Sequence, residues 1–181
     1  MPSALAEFNA LPAAAARQAL LGCCSAGRWA AEVAAGRPFG TVADALRRSD
    51  AAVAGLTVAD LREALAGHPR IGQPGTGQPG TGRPGWSRQE QSGVDPADQA
   101  TMRALADGNH AYEHRFGHIY LVCATDRSGP ELLALLRQRL GNDRAAEWRV
   151  VRAELEKINR IRLDKLLAGP SAQDASEGSA R

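Results

Sequence analysis

The sequence predicts an all-α fold, a single compact domain built from several helices. Apolar residues make up 44% of the 181-residue chain and aromatic residues only 4%, so the core must consist mainly of Ala, Leu, Val and Ile. Ala and Leu are the strongest helix formers, and β-branched residues are sparse. Several segments also repeat apolar residues every three or four positions, which is the period of one helix face. A chain of this length corresponds to about one domain.

The first half of the chain shows recognisable helix starts and stops. Starts are marked by a proline suited to the first helical position or by a threonine suited to capping, and stops are marked by glycine. The predicted helices cover 12–21 with Pro12 as first residue, the stretch through Trp29 to Gly36, 41–55 and 57–67.

The second half begins with a loop, since residues 73–85 contain Gln-Pro-Gly-Thr-Gly twice, a composition typical of flexible loops. The predicted elements that follow are a helix from the Asp95-Pro96 pair to Gly117, a short apolar segment at 119–124 that is either extended or a helix start, a helix over 130–140, and a helix from Asn142 or Asp143 to about 167. We expect residues 1–168 to form the domain and residues 169–181 to form a disordered tail.

Composition excludes several classes of function. The 22 basic and 20 acidic residues give a net charge of +2, which provides no basic surface for nucleic acid or an anionic membrane. No apolar run approaches the ~20 residues of a membrane span. Cys23, Cys24 and Cys123 lack the Cys-x-x-Cys spacing, so we expect buried thiols in a reducing compartment. The prediction is a cytoplasmic protein with neither nucleic-acid nor membrane partners.

His68 is the first candidate functional residue. It directly follows a glycine helix stop, Pro69 fixes the direction of the chain, and the loop at 73–85 is suited to act as a lid. An imidazole titrates near neutral pH, so it can both take and return a proton. The alternative is a surface or capping histidine.

Ser87 and Glu90 form a second candidate site. Their Ser-x-x-Glu spacing is that of a capping box, which by itself explains both residues. A helix N-terminus also offers N–H donors to an anion, and Gln91 would add a side-chain amide. Both interpretations stay open.

Arg162 lies on the apolar face of the last predicted helix, four residues after Ile158 and four before Leu166. A guanidinium that points into a core needs a partner. That partner is either a buried carboxylate such as Glu90 or the carboxylate of a substrate, held by two parallel hydrogen bonds.

Other polar residues of the second half have simpler interpretations. Asn109 and Tyr112 fall on a buried helix face, where such side chains usually bond backbone groups. His110, His114 and His118 are spaced by four residues, but they lack the His-Glu-x-x-His arrangement of a zinc site. We therefore predict a solvated histidine face and no metal site.

Taken together, these segments resemble the 2-oxo-4-hydroxy-4-carboxy-5-ureidoimidazoline (OHCU) decarboxylases, enzymes of urate breakdown. The doubled loop at 73–85 is the one departure from that family. The segments that carry the resemblance are Phe8-Asn9, Cys23-Cys24, Trp29-Ala30, Arg37-Pro38-Phe39, His68-Pro69-Arg70-Ile71-Gly72, Trp86-Ser87-Arg88-Gln89-Glu90-Gln91-Ser92-Gly93, Asn109 with Tyr112, Arg115-Phe116-Gly117, and Ile158 to Leu166 around Arg162.

The resemblance implies an all-helical domain, usually a homodimer, that converts OHCU to (S)-allantoin without metal or organic cofactor. It implies His68 as the catalytic acid/base, with Glu90 beside it. The substrate-binding residues that it implies are Pro69, Ser87, Gln91, Ile119, Tyr120, Leu121, Val122, Cys123 and Arg162. Two rivals stay open. The first is a non-catalytic helical protein that binds a small anion or a partner, which would keep Arg162 but would not need His68. The second is a hydrolase or lyase that acts on another ureido compound in the same pocket.

Overall fold

The structure is a computed structural model that describes residues 2–72 and 98–169. Within these ranges it contains eight α-helices and no strand, which confirms the all-α prediction. The helices are α1 (Ala4–Ala10), α2 (Ala13–Leu21), α3 (Gly27–Ala35), α4 (Val42–Ala54), α5 (Val58–Ala66), α6 (Gln99–Phe116), α7 (Gly129–Arg139) and α8 (Arg144–Ala168). The predicted loop at 73–85, the residues Ser87, Glu90 and Gln91, and the tail beyond Gly169 lie outside the described residues.

Local sequence sets several helix ends as predicted. Thr41 and Thr57 each accept a hydrogen bond from the N–H of an aspartate three residues later, and that aspartate bonds back to the threonine N–H. These two capping boxes start α4 and α5. Helix α6 ends at Gly117, whose φ of +75° lies in the left-handed region that glycine adopts without steric cost. Asp143 is the cap of α8.

Two predicted helix starts are wrong by a few residues. Pro12 is the N-cap of α2 rather than its first helical residue, because its ψ of 149° is not helical. Asp98, which the sequence placed inside the first turn of α6, is its N-cap, because its carboxylate accepts the N–H of Thr101. Residues 22–26 separate α2 from α3.

The core consists of two apolar clusters, and residues 119–124 contribute side chains to both. The first cluster gathers buried side chains of α1–α5 and α8. The second gathers side chains of α6 and α7 together with Ile71. Helix α8 packs against α4, α1 and α5, while α6 packs against α7. In the described part of the chain, no helix is long and apolar enough to cross a membrane.

Residues 119–124 form neither helix nor strand, and their side chains alternate between the two clusters. Leu121 and Cys123 belong to the first cluster, whereas Tyr120, Val122 and Ala124 belong to the second. Alternation with a period of two is a property of extended chain. Of the two interpretations offered by the sequence, the extended one is therefore correct. As expected, the three cysteines are buried free thiols.

A buried polar network connects α6, α7 and α8. Arg139 donates from Nε to Glu147 Oε1 at 2.8 Å and from NH1 to the carbonyl oxygen of Leu121 at 2.6 Å. The hydroxyl of Tyr112 also donates to Glu147. The prediction of a backbone partner is wrong for Tyr112, because α8 places an ionised carboxylate beside it. It is correct for Asn109, whose Nδ2 donates to Ile71 O at 3.0 Å.

Removing one partner of this buried ion pair should be costly. The side chains of Arg139 and Glu147 are 7% and 0% exposed, so Arg139→Ala leaves an uncompensated carboxylate. We expect the free energy of unfolding to fall by about 3–5 kcal/mol, measured by urea denaturation. The matched control is Arg137→Ala on the exposed face of α7, which should change stability by less than about 0.5 kcal/mol. Equal effects of the two substitutions would contradict this account.

Candidate active site

The end of α5, the 119–124 segment and α8 surround one pocket. The structure brings His68, Pro69 and Arg162 together there with four of the five predicted residues of the extended segment. The fifth, Ile119, packs against the first apolar cluster instead. The pocket is lined by His68, Pro69, Ile71, Tyr120, Leu121, Val122, Cys123, Ala124, Thr125, Ile158, Ile161 and Arg162.

His68 is held at the C-terminal end of α5 in one defined tautomer. Its main-chain N–H bonds to Leu65 O at 3.0 Å, and its ring nitrogen Nδ1 lies 2.9 Å from Ala64 O. Because a carbonyl oxygen can only accept, Nδ1 carries the hydrogen and Nε2 presents a lone pair. Nε2 lies 3.3 Å from NH1 of Arg162, which can only donate. The two partners therefore determine that Nδ1 carries the hydrogen and that Nε2 does not.

The surroundings of His68 favour the neutral imidazole. The residue is 6% exposed. Burial, reinforced by the positive charge of Arg162, lowers the pKa of His68 from 6.5 to about 3. Desolvation penalises the charged ring, and a like charge adds to that penalty. Near neutral pH the pocket thus contains an uncharged nitrogen base beside a permanent cation.

Arg162 points into the core, as its position on the helix face predicts. It is 4% exposed, and its NH1 donates to Cys23 O at 3.0 Å as well as to the imidazole. The carbonyl and the imidazole are partners that the sequence did not indicate. The predicted carboxylate partner Glu90 lies outside the described residues. Arg162 is thereby fixed between the α2–α3 connection and His68.

Other residues of the protein form hydrogen bonds with one edge of the main chain of the extended segment. Its Leu121 carbonyl and Cys123 N–H are bonded by Arg139 and Glu154. In an extended chain the next residues point their N–H groups to the opposite edge. Among the described residues, the N–H groups of Val122 and Ala124 have no acceptor, although both residues are 4% exposed. Both residues line the pocket, so their N–H groups are candidate donors to a ligand.

Helix α6 anchors the chain that leaves His68. Arg70 donates to both carboxylate oxygens of Glu113, at 2.6 and 2.8 Å, and one turn earlier Asn109 holds the carbonyl of Ile71. The Arg70 hydrogen bonds and charge lower the pKa of Glu113. Sequence reasoning missed Glu113 and also Glu154. The four-residue spacing of Asn109 and Glu113 on one helix face was the available signal for the first.

The three histidines of α6 and its C-terminus take no part in the pocket. His110 and His114 are exposed, as predicted. His118 is half-buried, with its ring centroid 4.3 Å from that of Trp148, so a solvated position is wrong for it. Burial also lowers the pKa of His118. Within residues 2–72 and 98–169, no group of three or more His, Cys, Asp or Glu side chains is placed to hold a metal ion.

Comparison with known proteins identifies relatives over most of the chain. Residues 9–164 match the family model described as OHCU decarboxylase. A protein of Amia calva named 2-oxo-4-hydroxy-4-carboxy-5-ureidoimidazoline decarboxylase is 30% identical over 145 residues, which are 78% of this chain and 81% of that protein. The Arabidopsis thaliana uric acid degradation bifunctional protein TTL is 27% identical over 147 residues, or 81% of this chain. Those residues are 45% of the Arabidopsis protein, so this chain spans less than half of its length.

Solved structures agree with the sequence comparison. A crystal structure of OHCU decarboxylase in the presence of (S)-allantoin matches with a TM-score of 0.68 at 25% identity, over 81% of this chain and 95% of that one. A crystal structure of (S)-allantoin synthase matches with the same TM-score at 16% identity, over 92% of this chain and 54% of that one, and shows the fold alone. The family model, the Amia calva relative and the shared fold all agree, and this chain belongs to the OHCU decarboxylase family.

Proposed function

We propose that the protein decarboxylates OHCU to (S)-allantoin in urate breakdown, without a metal or organic cofactor. The observation that carries the proposal is the neutral His68 nitrogen that faces the Arg162 guanidinium in a largely apolar pocket. Such a pair suits a substrate that has both a carboxylate and a proton to be moved. The family relationship supplies the substrate class.

The reaction needs no external electron sink. When the bond to the carboxylate breaks, its electron pair enters the ring as a new carbon–carbon double bond, and the neighbouring C=N pair moves onto nitrogen, which takes up a proton. The adjacent hydroxyl then loses its proton to become a carbonyl. The ring carbon that bears the ureido group gains one proton on one face. The net change is uptake of one proton and release of CO2.

Arg162 and the extended segment bind and orient the substrate in this proposal. The guanidinium grips the substrate carboxylate by charge-assisted hydrogen bonds. The N–H groups of Val122 and Ala124 donate hydrogen bonds to a carbonyl oxygen of the ring or of the ureido group. The bond between the ring carbon and the carboxylate must be perpendicular to the plane of the C=N group. In that orientation the electron pair of the breaking bond is aligned with the π orbital that accepts it.

His68 moves the proton. Its neutral Nε2 takes the proton of the substrate hydroxyl, and the imidazolium then returns a proton to the ring carbon on the face it lines. Binding of the substrate carboxylate offsets the positive charge of Arg162, which makes the imidazole a stronger base at the moment it is needed. One histidine thus serves both steps, and the fixed face of delivery gives a single enantiomer.

The remaining predicted roles belong to the same proposal. Glu90 acts beside His68, while Pro69, Ser87 and Gln91 contact the substrate. We also propose a homodimer, which the family resemblance implies, and a cytoplasmic location, for which the argument is the composition and the cysteines in thiol form. The residue roles rest on the matching sequence segments.

His68→Asn removes the titrating group but keeps a neutral polar side chain. We expect the variant to fold and to lose about 10²–10⁴-fold in kcat, the usual contribution of a positioned acid/base. Formation of (S)-allantoin from freshly generated OHCU, followed by circular dichroism above the uncatalysed racemic background, measures this loss. His114→Asn, on the exposed face of α6, should retain full activity. Turnover within tenfold of the unmodified protein would exclude His68 as the acid/base, and a wild-type protein without turnover would exclude the proposed function.

Arg162→Lys keeps the positive charge but loses the two-point grip on a carboxylate. We expect KM for OHCU to rise by about 10–100-fold, equivalent to about 1.4–2.8 kcal/mol of binding free energy. Steady-state kinetics in the same assay provide the measurement. Arg149→Lys on the exposed face of α8 is the control and should leave KM unchanged. An unchanged KM in Arg162→Lys would place the substrate carboxylate elsewhere.

The depressed pKa of His68 makes a prediction about stability. Burial and the charge of Arg162 lower the pKa of His68 in the folded protein to about 3, below its ordinary value of 6.5, so the unfolded state binds the proton more tightly in this range. Stability is therefore lost as pH falls from about 6.5 towards 3. Between pH 7 and pH 5, the wild-type protein should lose about 2 kcal/mol more unfolding free energy than His68→Asn. Urea denaturation of both proteins at the two pH values tests this, and equal losses would show that His68 is not held neutral.

A further inference from the structure

Glu154 is a buried carboxylate that bonds the wall of the pocket from behind. Its side chain on α8 is 9% exposed, and its Oε2 accepts the main-chain N–H of Cys123 at 2.8 Å. The other oxygen, Oε1, lies 2.6 Å from the ammonium group of Lys157, which is half-exposed. Both oxygens of the carboxylate therefore have a partner, and one of these partners is the backbone of the segment that lines the site.

The contact fixes one edge of the extended segment. Arg139 donates to Leu121 O while Glu154 accepts from Cys123 N–H, two residues further along. A carbonyl and an N–H in this relation are the pair that a neighbouring β-strand would bond. Two charged side chains thus take the place of a strand. The opposite edge, with the N–H groups of Val122 and Ala124, is left for a ligand.

Glu154 bonds the main chain of the extended segment from outside the pocket. It does not line the His68 pocket; it lines a separate groove with Arg127, Gln138 and Val122. Val122 lines both cavities, so the segment is the wall between them. Glu154 can therefore affect a ligand in the His68 pocket only by changing the position of this segment.

The spacing on α8 connects this support to Arg162. Glu154, Ile158 and Arg162 follow one another at intervals of four residues and are all buried. Residues four apart lie on the same helix face. One rigid helix therefore positions the guanidinium and, two turns earlier, bonds the main chain of the segment that lines the same pocket.

We propose that Glu154 is a positioning residue for the decarboxylation. It fixes the Tyr120–Ala124 main chain at the distance from Arg162 that the substrate spans. This inference rests on the proposed function for its substrate. Its physical content, a backbone edge held by a carboxylate, is testable by ligand binding as well.

Two substitutions separate positioning from charge. Glu154→Gln keeps an oxygen that can accept from Cys123 N–H and removes the charge, whereas Glu154→Ala removes the acceptor. We expect Glu154→Ala to raise KM for OHCU at least tenfold, with kcat within threefold of wild type, because the segment binds rather than reacts. Glu154→Gln should keep KM within threefold. Glu156→Ala, two residues along α8, is the matched control and should behave as wild type.

The readouts distinguish the possible outcomes. If Glu154 served only to stabilise the fold, Glu154→Ala would lower the unfolding free energy and the amount of active protein while KM stayed unchanged, and the proposal would be wrong. Equal damage by Gln and Ala would assign the effect to charge and would also overturn it. Calorimetric binding of (S)-allantoin to the same variants is independent of turnover. A tenfold weaker Kd in Glu154→Ala alone supports positioning even if the wild-type protein proves inactive, which would refute only the proposed function.

Discussion

Helix α8 carries three ionised side chains, Glu147, Glu154 and Arg162, on the stripe that faces the core. A buried charge is tolerated only when a partner and further hydrogen bonds compensate its lost hydration. Glu147 forms an ion pair with Arg139, and Glu154 accepts a hydrogen bond from a backbone N–H. Arg162 donates hydrogen bonds to a carbonyl oxygen and to an imidazole nitrogen. These requirements determine where α7, the extended segment and His68 are placed relative to α8.

The site follows from the same constraint. Arg139, already needed by Glu147, also bonds the segment at Leu121, and Glu154 bonds it two residues later. The segment then has one satisfied edge and one open edge. His68 lies beside Arg162 and stays uncharged because burial and a neighbouring cation both oppose protonation. The pocket thus combines a cation, a neutral base and two main-chain donors without any carboxylate among its described lining residues.

Local sequence rules predicted much of this architecture. Threonine caps, glycine stops and the burial of Arg162 depend on neighbours within a few residues, so they could be read directly from the chain. The extended segment at 119–124 was ambiguous because a short apolar run fits either a helix or a strand, and only the two clusters around it decide. Partners distant in sequence could not be predicted. Tyr112 with Glu147, and Glu154 with Cys123, are 35 and 31 residues apart.

The residues of the candidate site also differ in whether local sequence could identify them. His68 and Arg162 could be selected from their positions at a helix end and on an apolar face, whereas the supporting residues Glu113 and Glu154 resemble ordinary surface carboxylates in sequence. The family resemblance connected His68 with Arg162, 94 residues apart, before any geometry was known. Ser87, Glu90 and Gln91 remain predictions of the sequence.

The neutral state of His68 can be measured directly by a ¹⁵N NMR titration of its ring in the unliganded protein between pH 5 and pH 8, with His68→Asn to assign the signal. We expect a neutral ring throughout, with the hydrogen on Nδ1 and an unprotonated Nε2 facing Arg162. A His68 signal that titrates with a midpoint near 6.5 would contradict this expectation, because neither burial nor the guanidinium would then control the imidazole.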